Sequence, residues 1–202
     1  MIITISGPSG SGKSTAARML SKETGLPAVD VGVVFRAMAK KRGMSVIEFG
    51  RYVARHKELD QKLDEIMLRR ARKSKPFIWQ GRLSGLLAAK EGIPSLTFWI
   101  QASAMTRARR VSGREGVPYR RALAQIMRRD RADRVRYMKT YGLDVNDLSV
   151  YDAVIPTDNL SAQQVVSALL RSIVRIWPKN RTQPLPPKLR NWQRRQRRLR
   201  KK

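Results

Sequence analysis

"GPSGSGKST", residues 7–15, is the stretch on which the fold turns. It fits the pattern G-x-x-x-x-G-K-[ST], and its context is right for one. "MIITIS" before it is a short apolar strand. "KSTAARMLSKETG" after it carries Ala16, Met19 and Leu20 at helical spacing and stops at Gly25. Gly7, Gly10 and Gly12 let the backbone curl until its N–H groups converge, and the helix beginning near Lys13 adds its positive end. The loop Gly7, Pro8, Ser9, Gly10, Ser11, Gly12, Lys13, Ser14, Thr15 is therefore expected to cradle the phosphates of a nucleoside triphosphate. Lys13 would neutralise the β- and γ-phosphates, Ser14 would offer its hydroxyl to Mg²⁺, and Thr15 would reach the α-phosphate region.

Outward from the loop, strands alternate with helices. "LPAVDVG" (26–32) reads as a second strand ending in a turn. "SVIEFGRYVARH" (45–56) opens with a capping box, Ser45 with Glu48, and "LDQKLDEIMLRRARK" (59–73) sets Leu59, Leu63, Ile66 and Met67 on one helical face. "PFIWQ" (76–80) and "SLTFWI" (95–100) are continuous apolar runs, as in parallel strands covered on both faces. Charged helices are expected over 103–112 and 118–139, a fifth strand at "YDAVIPT" (151–157), and a last helix from the Ser161/Gln164 cap to about Trp177. This order predicts an α/β doubly wound fold, a five-stranded parallel sheet flanked by helices, with ligands at the strands' carboxyl ends. One domain is expected over 1–177, followed by a proline-containing linker and basic tail over 178–202; the tail is expected to be disordered until bound, the alternative being a helix with Leu189, Trp192 and Leu199 on one side.

Composition excludes several chemistries. With no cysteine, disulfides, thiolate nucleophiles and cysteine-bound zinc are ruled out, and the one histidine, His56, lies in the charged stretch "VARHKELD", where it reads as a solvated helix residue. The longest uncharged run, Gly92 to Thr106, contains Pro94 and Gln101 and is too short to span a bilayer, so a cytoplasmic location is expected. The net charge is +28, and residues 178–202 carry eleven lysines and arginines with no acid. A polyanionic partner is expected for the tail.

The acceptor of the phosphate is read from the arginines. Water or a small molecule are the alternatives, and transfer between two anionic substrates needs several fixed cations. "RRDRADRVRY" (128–137) supplies them, with Arg129, Asp133 and Arg136 on one helical face. Over residues 1 to about 176 the chain resembles the archaeal-type cytidylate kinases, within the nucleoside monophosphate kinases. The resemblance is carried by "ITISGPSGSGKSTAARML", "VGVVFRAMAKKRGMSVIEF", "QGRLSG", "RARRVSGREGV", "RYMKTYGLDVNDLSVYDAVI" and "LSAQQVV". It implies a P-loop kinase fold with helical acceptor-binding and lid segments, and transfer of the γ-phosphoryl of ATP to CMP or dCMP with Mg²⁺ by a monomer. It also implies that Asp30, Gly32 and Arg36 line the monophosphate site, with Arg36 on the acceptor's phosphate. Gly81 and Arg82 would follow the third strand, Arg82 again reaching the acceptor. Arg107, Arg110 and Arg114 would belong to a lid over ATP, with Arg110 binding it. Arg129, Asp133 and Arg136 would form the catalytic set with Lys13, Asp133 on the sugar.

Two positions depart from the family. The acid usual before "GR" is Gln80, and an acid common after the second-strand glycine is Val33; Asp30 lies close enough in sequence to compensate. The tail lies outside the resemblance. Residues 188–202 are expected to bind RNA, with ribosomes as one setting, Trp192 stacking on an unpaired base; the apolar stripe is too thin for a membrane. The rival reading is an RNA- or ribosome-associated nucleotide-binding protein with little or no transfer.

Overall fold

The computed structural model describes residues 2–73, 75–177 and 185–199. Its sheet has five parallel strands in the order β2-β3-β1-β4-β5: β1 Ile2–Ser6, β2 Ala28–Asp30, β3 Ile78–Gln80, β4 Ser95–Gln101 and β5 Ala153–Pro156. All five residues of β1 are buried because both faces of this central strand are covered. Ile3 and Ile5 pack with Phe98, Ile100 and Ile78 under α1 (Lys13–Thr24) and α8 (Ala162–Ile176). Ile2, Trp79 and Trp99 point the other way, into a core closed by α4 (Lys57–Arg72) and α5 (Ser84–Lys90). The strand order reverses at β1, which opens a crevice at the carboxyl ends where the glycine loop begins.

Four further helices surround that crevice: α2 (Val31–Lys41), α3 (Val46–Arg55), α6 (Ala104–Glu115) and α7 (Tyr119–Tyr141). Ala39, Phe49 and Val53 make a small core between α2 and α3, and Ala108, Val111, Ala122 and Ile126 make another between α6 and α7. The capping boxes of Ser45/Glu48 and Ser161/Gln164 form as expected, and α6 and α7 end on left-handed glycines, Gly116 and Gly142.

Where a turn was expected after β2, the chain enters α2 directly. Asp30 is its N-cap, the carboxylate accepting from the Val33 N–H, so Gly32 lies in the first helical turn. Helix α5 was not expected, since "SGLLAAK" is too short for its periodicity to show. Ile66 is exposed rather than on the buried face of α4, where Met67 faces the core and Leu59 packs near Phe49; the Leu63 side chain lies outside the described residues. His56 joins α3 to α4, its ring 4.3 Å from that of Tyr52.

The tail differs most. The spacer over 178–184 and residues 200–202 lie outside the described residues, but Pro187–Leu199 is a helix, α9, packed on α1 and α8. Proline suits its first turn, where the missing N–H costs nothing. Leu189 is fully buried in the main core and half-buried Trp192 packs against that core.

Candidate active site

The phosphate loop is built between β1 and α1 by close approach. A Cβ on Gly7 (φ 143°) would lie 2.3 Å from the Ile100 carbonyl oxygen, and one on Gly10 (φ 79°) would press on Arg107. Lys13 Nζ donates to the Pro8 carbonyl at 2.7 Å, folding the side chain back over the loop. Burial holds its pKa well below the ordinary lysine value, and the positive charges of Arg82 and Arg129 push it the same way. A bound anion relieves both effects, which is the electrostatic signature of a phosphate site.

At the edge of the loop is a corner of hard oxygen donors. Ser14 Oγ donates to Asp30 Oδ2 at 3.1 Å. The Gln80 carboxamide satisfies its neighbours with its nitrogen toward Asp30, donating to Oδ1 (2.7 Å) and Oδ2 (2.9 Å). The Ser14 hydroxyl and Asp30 carboxylate suit Mg²⁺, which keeps waters and substrate phosphates as most of its ligands. Among the described residues no group of three or more His, Cys, Asp or Glu gathers to hold a metal, at this corner or elsewhere. Gln80 thus holds the Asp30 carboxylate by both oxygens. Arg36, half-exposed, also pairs with Asp30 at 3.5 Å.

Helix α7 delivers the arginines. Its inner face brings together Arg129, Asp133 and Arg136, with Asp133 and Arg136 buried. Asp133 pairs closely with Arg82 and accepts from Arg136 Nη2 at 3.2 Å, with Arg129 Nε at 4.0 Å. The Asp133 carboxylate is the hub of three guanidinium groups. Arg129 Nη1 donates to Ser9 Oγ at 3.2 Å, tying α7 to the phosphate loop; burial, with Arg82 adding repulsion, brings its pKa down to about 10. Arg136 lies over the rings of Phe35 (4.9 Å) and Tyr137 (4.6 Å). Arg82 lines the cavity, and its buried Nη2 has no hydrogen-bond partner among the described residues.

These groups line one cavity of about 690 Å³ that runs from Ser9, Lys13 and Thr15 past Gly32, Arg36, Gly81 and Arg82 to Asp133 and Arg136. Asp30 lies beside it, at the border of a second cavity by Ser14 and Arg18. The expected lid arginines divide. Arg107 is buried, donating to the Ser9 carbonyl (3.1 Å) and to Asp130 (2.7 Å), and Arg110 ties the Ser11 carbonyl to Thr157 from behind the loop. Arg114 alone of the three borders the cavity. Asp130, which bridges Arg107 and Arg82, was missed: in "RRDRAD" it looked like one more charge on a solvated face. No spacing rule pairs it with residues 23 and 48 positions away in the chain.

Comparison with known proteins gives this geometry a lineage. Solved structures of shikimate kinases share the fold: that from Bacteroides thetaiotaomicron at a TM-score of 0.56 and 13% identity, covering 86% of this chain and 98% of that one, and that from Acinetobacter baumannii at 0.53 and 16%, covering 86% and 93%. Sequence relatives are closer. The cytidylate kinase of Sulfurisphaera tokodaii is 39% identical over 165 residues, covering 82% of this chain and 91% of the relative. That of Pyrococcus abyssi is 37% identical over 179 residues, covering 89% and 97%. The family model for cytidylate kinase-like proteins matches residues 2–159, from β1 through the strand and loop that follow the arginine helix, and by that match the chain belongs to the cytidylate kinase-like family.

Proposed function

We propose that this protein transfers the γ-phosphoryl group of ATP to CMP or dCMP, giving CDP or dCDP, with Mg²⁺ as the metal. The observation that carries the reading is the single cavity joining the phosphate loop to Arg36 and Arg82, with the buried Arg82 Nη2 lacking a protein partner. A phosphate oxygen of the acceptor attacks the γ-phosphorus, the bond from that phosphorus to the β–γ bridging oxygen breaks, and ADP leaves. Lys13 and Arg129 lie on the ATP side of the transferring group, Arg36 and Arg82 on the acceptor side, so charge is neutralised on both. Ser14 and Asp30 are the residues that would hold Mg²⁺, which would supply charge neutralisation to the polyphosphate. Arg114 and Glu115 at the end of α6 stand where closure would exclude water as a competing acceptor.

The test is ADP formation by the full-length chain offered CMP, dCMP, UMP, AMP and GMP separately, with Lys13→Ala as the blank. Turnover with CMP or dCMP well above the other acceptors is expected. Bound ATP with no transfer to any acceptor would overturn the reading in favour of a nucleotide-binding scaffold.

A second activity is favoured by one observation. The outward face of α9 exposes Lys188, Arg190, Arg194 and Arg195, while its inner face is spent on the core. We infer that this face associates with nucleic acid through its phosphates, without base stacking, ribosomal RNA being one such polyanion. It lies on α1 and α8 and takes no part in lining the cavity, so transfer and association are separable.

A further inference from the structure

Resting on the kinase reading above, we propose that Asp130 is a positioning residue for the acceptor: it sets the Arg82 guanidinium for the acceptor's phosphate by tying it, through Arg107, to the phosphate loop. Among the described residues Arg82 lines the cavity and Asp130 does not, so Asp130 acts through Arg82 and not on the substrate itself. Arg82 needs such a partner. It stands between the end of β3 and the start of α5, and a guanidinium on a flexible stem gives up rotamer freedom when it engages a phosphate. An arginine already held before the ligand arrives has less to lose.

Two carboxylates hold Arg82 Nη1. Asp133 pairs with it closely, but that carboxylate lines the cavity and is shared with Arg129 and Arg136, so three cations draw on it at once. Asp130 serves two, one with each oxygen. Its Oδ1 stands 3.5 Å from Arg82 Nη1, and its Oδ2 accepts from Arg107 Nη1 at 2.7 Å. Arg107 is in turn held on three sides: its side chain is buried, its Nε donates to the Ala102 carbonyl at 3.1 Å, and the Nη1 that meets Asp130 also donates to the Ser9 carbonyl at 3.1 Å. The contacts therefore run from the phosphate loop through Arg107 and Asp130 to Arg82. Arg129, donating to Ser9 Oγ, fastens the same loop residue to α7.

Charge explains why the tether is an acid. Burial, then the positive charges of Arg82 and Arg129, lower the pKa of Lys13, and Asp30 and Asp130 are the acids that oppose this shift. Asp130 thus offsets the repulsion among the cations that gather for the transferring group. Its two oxygens each accept from one guanidinium, a double grip that only the ionised carboxylate provides. A carboxamide of the same shape has one accepting oxygen, and its NH₂ would meet the N–H donors of the other arginine.

Asp130→Asn should lower kcat/KM for CMP about tenfold, through a higher KM for CMP and a lower kcat. The KM for ATP should stay within about twofold of the intact value, because Arg107 keeps its bonds to the Ser9 and Ala102 carbonyls. Asp130→Ala, which holds neither arginine, should show the same split more strongly. The dissociation constant for CMP, measured by calorimetry without ATP, provides a readout independent of turnover and should rise in both variants, and melting temperatures report the fold. Arg107→Met removes the other end of the tether, so adding it to Asp130→Asn should weaken CMP binding by less than the product of the two separate effects. CMP parameters unchanged in Asp130→Asn, equal loss of ATP and CMP, or fully independent effects in the double variant would overturn the proposal. Absence of transfer by the unaltered protein would instead overturn the kinase reading, and the CMP dissociation constants would still decide the role of Asp130.

Discussion

Lys13 and Gln80 carry the sharpest consequences of their surroundings. The free enzyme disfavours the charged form of Lys13, through burial first and Arg82 and Arg129 second, and a polyphosphate favours it. Binding must then take up protons wherever the pH lies above the lowered pKa of the free enzyme and below that of the complex. ATP affinity accordingly falls as pH rises through that window, and calorimetry in buffers of different ionisation enthalpy should detect the uptake. Constant affinity with no proton uptake would show that Lys13 does not titrate on binding. At Gln80, the amide donates to both oxygens of Asp30. Gln80→Glu sets two carboxylates face to face, which destabilises the metal-free protein and improves the site for a divalent cation. The half-saturating Mg²⁺ concentration for transfer should fall about three- to tenfold, and the melting temperature should become Mg²⁺-dependent. An unchanged Mg²⁺ requirement would remove Gln80 from the metal corner.

Among the elements, α2 shows how a helix can be hidden from a linear reading, and α9 how the docking of one can be. In "LPAVDVG" the strand pattern and the glycine suggest a turn, but Asp30 has a second function as N-cap, and its side chain also meets Ser14 and Arg36. One carboxylate therefore caps α2 and ties it to the phosphate loop. Around α9, the eleven basic residues of 178–202 dominate the reading, and charge at that density ordinarily means a solvated chain. The few apolar residues outweigh that expectation because α1 and α8 leave a place for Leu189. Leu189→Ala should cost about 2–4 kcal/mol. For a chain of this size that is a melting-temperature decrease of roughly 5–10 °C, measurable by circular dichroism. A change near zero would mean that α9 is not docked in solution.

For the molecule as a whole, the separation of the cavity from the basic face makes the two proposed activities independent. Charge reversal at Arg190, Arg194 and Arg195 should weaken binding to a labelled single-stranded RNA and flatten its salt dependence by about 2 in logarithmic slope, at roughly 0.7 per phosphate contact. Phosphoryl transfer should keep its kcat. Removal of 178–202 should lower the melting temperature through loss of Leu189 and Trp192, yet leave turnover near the intact value well below that temperature. A loss of kcat there would tie the tail to the active site. RNA binding that ignores both salt and charge reversal would dismiss the nucleic-acid reading.

The sequence by itself determined whatever depends on neighbours in the chain. The strand, glycine loop and first helix, the capping boxes, the run of strand and helix, and the face shared by Arg129, Asp133 and Arg136 all follow from local geometry and short periodicities. The tertiary structure decided which charges meet. Asp133 as the hub of three arginines, Asp130 between Arg82 and Arg107, Gln80 on Asp30 and Tyr141 on Asp64 all join residues whose separation along the chain encodes no contact. It also decided the tail, because whether Leu189 is buried depends on the surface that α1 and α8 offer it, and a composition dominated by arginine cannot report that surface.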